Sequence, residues 1–359
     1  MKISILKKIQ STLALVAIVL SSFLWYAPSV WAEPPNGILP FYEVWSFAGH
    51  EHNVAGVAAD SLGNAYSASW DSTVRKINSS GTQVWSFTGH SNDVRAVAAE
   101  SDGSFVYSAS FDGTVRKIDS NGNEVWRFSG HEGPVNAVAV DGSSNVYSAG
   151  NDNTVRKIDS SGNQLWSFTG HSDNVLAVAV DSTGNVYSGS SDDTVRKINS
   201  SGSQLWSFTS HTDTVTSVAV DSTGNVYSGS SDDTVRKINS SGTQAWSDGE
   251  HTSDVRGVAV NNNGYIYSVS VDSSLRKLTF DGEEIWVFNG HEDSINAVAF
   301  AEGNVYSGGN DNIVRNVADV SQPFNSLSNR RLSMSSSEAS VEGVEYTMSF
   351  NYPDSGNFG

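Results

Sequence analysis

The sequence predicts an all-β chain folded as a seven-bladed β-propeller closed by its N-terminal strand. Three observations lead there. A Trp recurs at Trp45, Trp85, Trp126, Trp166, Trp206, Trp246 and Trp286, spaced by 40 or 41 residues. Five residues after each Trp comes a His, at His50, His90, His131, His171, His211, His251 and His291. Twenty to twenty-two residues after each His comes an Asp, at Asp71, Asp112, Asp152, Asp192, Asp232, Asp272 and Asp311. Each period of about forty residues has room for four short strands, which cannot bury both faces alone and do so when arranged radially against two neighbours.

The unit that starts at His171 shows the elements in order. Val175–Val180 alternates apolar residues, residues 181–185 supply turn chemistry, and Val186–Ser190 forms the second strand. Residues 191–193 turn the chain, residues 194–199 are expected as the third strand, and Ser200-Ser201-Gly202 suits a short hairpin with Gly at the left-handed position. Gln204–Phe208 is the fourth strand. If the hairpin pairs Asn199 with Ser203, Arg196 is expected opposite Trp206, as a cation over an indole. Residues 178–202 are identical to residues 218–242, so these two units read as a duplication. The last unit supplies three strands, around residues 295–300, 305–308 and 313–317, and an unpaired Trp strand, Tyr42–Phe47, stands before the first His. Seven complete blades require these end pieces to pair, which removes the open sheet edges that invite aggregation.

Composition narrows the function. Of 359 residues, 39 are acidic and 21 basic, for a net charge of −18, and there is no Cys. That charge argues against a nucleic-acid or anionic-bilayer partner. The missing thiols exclude disulfides, thiolate metal sites and Cys nucleophiles. Lys2, Lys7 and Lys8 before an apolar run, with Val30-Trp31-Ala32 at its end, read as an export signal over residues 1–32. The run is shorter than the roughly 20 residues of a spanning helix. Its removal leaves a chain without a membrane span, expected in a secreted, periplasmic or cell-surface location. Residues 33–320 are expected as the propeller and residues 321–359 as a Ser-rich linker with a short C-terminal tail.

Gly49-His50, Gly89-His90, Gly130-His131, Gly170-His171 and Gly290-His291, each followed by a segment such as Asp192-Asp193-Thr194-Val195-Arg196, resemble WD40-repeat propellers. The resemblance covers about residues 40–318 and implies a hydrogen-bonded set of the His, a second-strand Ser, the turn Asp and a third-strand Trp. The Ser falls at Ser67, Ser108, Ser148, Ser188, Ser228, Ser268 and Ser307. The Trp-Asp dipeptide is replaced by pairs such as Ile77-Asn78, Ile118-Asp119 and Ile198-Asn199. The run from Asp181 to Tyr187 is similar to NHL-type repeats, and that from Ile198 to Trp206 to the docking motif of quinoprotein propellers.

Ser, His and Asp in every unit invite a hydrolase reading. A triad needs one nucleophile, one base and one oxyanion hole in a cleft, whereas seven equivalent copies are what a repeated structural network requires. No catalytic residue, metal or cofactor is expected: the Asp-rich turns lack the Asp-x-Asp-x-Asp-Gly pattern and downstream Glu of a calcium loop. The paired Arg and Lys of the third strands, such as Arg196 and Lys197, are expected to join strands and blades.

Positions where the units disagree are free to specialise. After the first apolar residue of strand one stand Ala55, Arg95, Asn136, Leu176, Thr216, Arg256 and Asn296; before the turn Asp stand Trp70, Phe111, Asn151, Ser191, Ser231, Val271 and Asn310. Both sets are expected on one rim. In WD-repeat proteins such positions contact partners, which singles out Trp70, Arg95, Phe111, Leu176, Arg256 and Val271. The expected function is an exported, monomeric, non-catalytic scaffold for a protein or glycan, with a quinoprotein-like or lyase-type propeller enzyme as the alternative.

Overall fold

The computed structural model describes residues 41–319, which form 28 strands in seven four-stranded sheets. The expected signal segment and the Ser-rich C-terminal segment lie outside the described residues. Among those described, no helix is long and apolar enough to cross a membrane.

The fourth blade represents the others. Its strands β14 (Val175–Val180), β15 (Val186–Ser190), β16 (Val195–Ile198) and β17 (Gln204–Phe208) pair antiparallel in chain order. All five residues of β15 are buried, because both faces of the sheet are covered by neighbouring blades. Tyr147, Val155 and Phe168 of the third blade pack with Val175, Val178, Val186 and Ile198 of the fourth in one cluster. Val, Ile and Tyr suit such a two-sided apolar environment. Thr194, expected inside the third strand, lies just before it and turns its hydroxyl onto Asp192 at 2.6 Å.

The outer pairing differs from the sequence expectation. Asn199 N–H does donate to the Ser203 carbonyl at 2.8 Å. The register then shifts, so that Ile198 pairs with Gln204, Lys197 with Trp206 and Arg196 with Ser207. Leu205 is the extra residue of this bulge and is exposed. Arg196 therefore does not oppose Trp206. Its guanidinium turns to Thr194 Oγ1 at 3.2 Å and Gln204 Oε1 at 2.9 Å, while Lys197 Nζ lies 5.2 Å above the Tyr187 ring.

The Trp side chains connect blades. Trp166 Nε1–H donates to the Ser200 carbonyl of the next blade at 3.1 Å, and Trp45, Trp85, Trp126, Trp206 and Trp246 repeat the bond. The hairpin beneath each of these six indoles needs Gly for two reasons. Gly202 has φ +88°, and a Cβ there would stand 3.1 Å from Trp166 Cδ2.

The seventh blade is assembled from both ends of the repeat array. Strands β26 (Ile295–Ala301), β27 (Asn304–Gly309) and β28 (Val314–Ala318) are completed by β1 (Tyr42–Phe47), with Tyr42 opposite Ala318 and Phe47 opposite Val314. Arg315 and Glu43 bridge the junction at 2.6 Å. Just past β28, Asp319 reaches into blade six and pairs with Lys277 at 2.8 Å, both side chains fully buried. It also accepts the Tyr267 hydroxyl hydrogen bond. Blade six carries Asn261 where blade four has Asp181 bonded to Tyr187, so Asp319 supplies the missing carboxylate.

Every blade holds its His–Ser–Asp set. His Nδ1 meets the turn Asp at 2.7–3.0 Å, and His Nε2 meets the second-strand Ser Oγ at 2.7–2.9 Å. A carboxylate only accepts, so Nδ1 carries a proton toward Asp while Nε2 faces the Ser hydroxyl. The seven Ser are completely buried and no substrate reaches their hydroxyls. The set is larger than the sequence suggests. In blade one, Thr73 Oγ1 donates to Asp71 at 2.6 Å and itself accepts from Arg75 Nε at 3.2 Å. Blade seven has Ile313 at the Thr position and lacks that link.

Burial alone would raise the Asp71 carboxyl, but hydrogen bonds from His50 and Thr73 outweigh it and hold the group well below the usual carboxylate range. The same holds at Asp112, Asp152, Asp192, Asp232 and Asp272, and in the same direction at Asp311. Carboxyls depressed by folding stabilise the fold above their unfolded pKa and lose that contribution as pH falls below it.

Three outcomes follow from this architecture. The melting temperature should be nearly level from neutral pH to about pH 5 and fall steeply below about pH 4, as read by scanning calorimetry. Asp192→Ala strands the donors of His171, Thr194 and Ser172, and should cost about 1–3 kcal/mol by denaturant titration, with similar losses for Asp152→Ala and Asp232→Ala. Deleting residues 33–48 removes β1 and should lower thermal stability and cause aggregation on size-exclusion chromatography. An unchanged, monomeric protein would show that β1 is dispensable.

Candidate functional site

The repeats bring their variable positions together at one mouth of the central channel. The second residue of each innermost strand points along the channel wall, so Ala55, Arg95, Asn136, Leu176, Thr216, Arg256 and Asn296 form a ring. The residue before the turn Asp adds Trp70, Phe111, Asn151, Val271 and Asn310 to the same opening, a cavity of about 580 Å³. All six residues singled out for partner contact, Trp70, Arg95, Phe111, Leu176, Arg256 and Val271, line it. Ser191 and Ser231 are not among its lining residues. The sequence comparison did not single out Asn174 and Ser294, which also reach the mouth from the loops before strand one. Both stand just before the first residue of strand one, a position that recurs with the repeat as Asn53, Asp93, Pro134, Asn174, Thr214, Asp254 and Ser294, so comparison of the units at that position would have found them.

Trp70, Arg95 and Phe111 are in direct contact. The Arg95 guanidinium carbon lies 3.8 Å from the centre of the Phe111 ring and 4.5 Å from that of Trp70. Trp70 comes from the turn of blade one, Arg95 and Phe111 from blade two, so the stack spans a blade junction. Burial pushes the Arg95 pKa down, partly offset by Asp93, whose carboxylate lies 3.4 Å away. Its Nε is buried with no hydrogen-bond partner.

Polar side chains on the remaining wall are held by one another. Asn136 Nδ2 donates to Asn151 Oδ1 at 2.7 Å and to the Val175 carbonyl at 2.9 Å. Asn296 repeats this with Asn310 at 2.8 Å and the Val54 carbonyl at 3.0 Å. Thr216 Oγ1 lies between the Gly229 and Val255 carbonyls, its one hydroxyl hydrogen shared between them. Arg256 is more open, its side chain 44% exposed and paired with Asp254 at 3.0 Å. The opposite end of the channel is different: first-strand Val and Ala side chains such as Val57, Ala59, Val138 and Val180 line it, with Phe300.

The mouth's lining side chains include no Asp, Glu, His or Ser–base pair. Among the described residues there is also no group of three or more His, Cys, Asp or Glu that could hold a metal ion.

Comparison with known proteins places the repeats. The family model described as outer membrane protein assembly factor BamB matches residues 70–190 and 151–257, together just over half of the chain. The model described as WD domain, G-beta repeat, matches residues 282–315. No curated protein matches the sequence. Among solved structures, the crystal structure of the WD40 β-propeller domain of Doa1 is similar, with a TM-score of 0.71 and 21% identity over 78% of this chain and 97% of that one. At that identity the likeness speaks to fold. The blade count, the His–Ser–Asp sets and these matches agree: the chain belongs to the BamB-type repeat propellers and is built as a WD40-type seven-bladed β-propeller.

Proposed function

We propose that this protein is a non-catalytic, exported protein-binding scaffold whose contact surface is the channel mouth around Trp70, Arg95 and Phe111. The observation that carries the reading is the convergence of the six specialised positions on one opening, while every blade keeps the same interior. Aromatic and Arg side chains are the types that dominate binding energy when they sit together at a partly desolvated centre. The matching family model is described as an assembly factor for outer membrane proteins, which supports a role in holding proteins outside the cytoplasm. The N-terminal signal-like segment supports the same location.

The BamB-type match also touches the alternative of a quinone-dependent enzyme, since its repeats resemble quinoprotein repeats. The mouth does not fit that chemistry. A quinone held beside calcium needs carboxylate ligands, and the mouth's lining residues include none.

The test uses partners captured from the extracellular or periplasmic fraction and a purified binder taken from them. Trp70→Ala and Phe111→Ala should each weaken that binder by about thirtyfold, the loss of roughly 2 kcal/mol typical of a hot spot. Ser191→Ala and Ser231→Ala should leave affinity within about twofold in calorimetric titrations. Equal, small effects at all four positions would move the contact surface elsewhere.

A further inference from the structure

We infer that the channel mouth recognises a carboxylate presented by an acidic segment of the protein partner, with Arg95 and Arg256 as its two anchors. The inference rests on the protein-binding reading above and names the chemistry of the partner. It begins with a local reversal of charge. The chain carries 39 acidic against 21 basic residues, yet the charged residues lining the mouth are these two arginines, with Asp93 and Asp254 beside them at 3.4 and 3.0 Å as the nearest acids.

Arg95 is prepared for a planar anion. The Phe111 and Trp70 rings, 3.8 and 4.5 Å from the guanidinium carbon, hold the group in place at the mouth. One edge contacts Asp93 only at 3.4 Å, and the Nε hydrogen has no acceptor. A guanidinium presents its donors as a fork that matches a carboxylate, so a group already held by two rings loses little freedom when a carboxylate joins Asp93 beside it. Much of its hydration has already been given up to the two rings, and an incoming carboxylate restores the hydrogen bonds that water would have made.

The rest of the wall agrees. Asn151 and Asn310 accept through their carbonyl oxygens from Asn136 and Asn296, which leaves their own amide N–H groups as donors at the mouth. Arg256, on blade six, keeps further N–H groups beside its contact with Asp254. Arg and Asn N–H groups thus stand at the mouth on several blades, and an acceptor-only group complements them. Leu176, Val271 and Ala55 between the polar groups suit the aliphatic flanks of a peptide better than the hydroxyls of a uronate glycan, so the occupant is an Asp- or Glu-bearing peptide segment.

A displayed library of random decapeptides, selected on the full chain, tests this, with oligogalacturonate titrated in parallel. Selected peptides should be enriched in Asp or Glu. Replacing the common acidic residue by its amide should weaken binding about ten- to a hundredfold, the loss expected for a hydrogen-bonded charge pair. Arg95→Gln should lose a similar factor, and the doubly changed pair little more than either alone. Arg256→Gln, at a more exposed position, should weaken the same peptides without altering the melting temperature, which covers the case in which the Arg95 variant folds poorly. Three results would overturn the inference. One is selection of peptides without acids that nevertheless respond to Trp70→Ala, which would leave the protein-binding reading intact. Another is acidic peptides indifferent to both arginine variants. The last is tight oligogalacturonate binding with no peptide enriched, which would remove the protein-binding reading as well.

Discussion

Each sheet in this protein is apolar on both faces, and that single constraint organises the rest. A four-stranded blade alone would leave both apolar faces in water, so each blade gains its stability from contact with its two neighbours. The indole of every outer strand but the last then fixes the spacing of neighbours, because its N–H reaches a hairpin carbonyl that only a left-handed Gly brings close enough. Ring closure follows from the same requirement. If blade seven lacked β1, the outer edge of β28 would lose its partner and the Trp45 and Phe47 contacts with blades one and seven would go with it, so the join between β1 and β28 bears on the closed ring.

The His–Ser–Asp sets serve this architecture from inside each blade. They tie the loop before strand one, the second strand and the turn before strand three to a single carboxylate. Where sequence departs from the WD40 pattern, the structure substitutes. The third-strand Trp is absent, and Thr and Arg extend the set along the strand to Gln204 in blade four and its equivalents elsewhere. The polar network is thus fully local to a blade, while the aromatic and aliphatic contacts run between blades. The mouth inherits rigidity from both, and its side chains vary without disturbing either.

Much of this was legible in the sequence because it repeats. The period gave the blade count, and the fixed offsets of His, Ser and Asp placed the network. The unmatched strand around Trp45 gave the closure. The register of the outer strand was not legible. Gln-Leu-Trp-Ser-Phe carries no mark showing that Leu205 drops out of the ladder, and that single bulge moves Arg196 away from Trp206 and puts Lys197 there instead. The mouth was half legible. Disagreement among the units located Trp70, Arg95 and Phe111, but the contact of Arg95 with both rings depends on how adjacent blades meet, which no one-dimensional comparison contains.

Both ends of the described propeller emerge from blade seven, and the carboxylate of Asp319 fastens the later end onto Lys277 of blade six. The chain order of this ring is therefore one choice among several nearly equivalent ones. Residues 178–202 and 218–242 are the same sequence, so the two blades that contain them are interchangeable pieces in topological terms. Joining the ends and opening the polypeptide at an outer hairpin such as 200–202 would yield a circular permutant with the same seven blades. In that permutant the burden now borne by β1 and Asp319 would pass to a pair of strands that the present chain connects covalently.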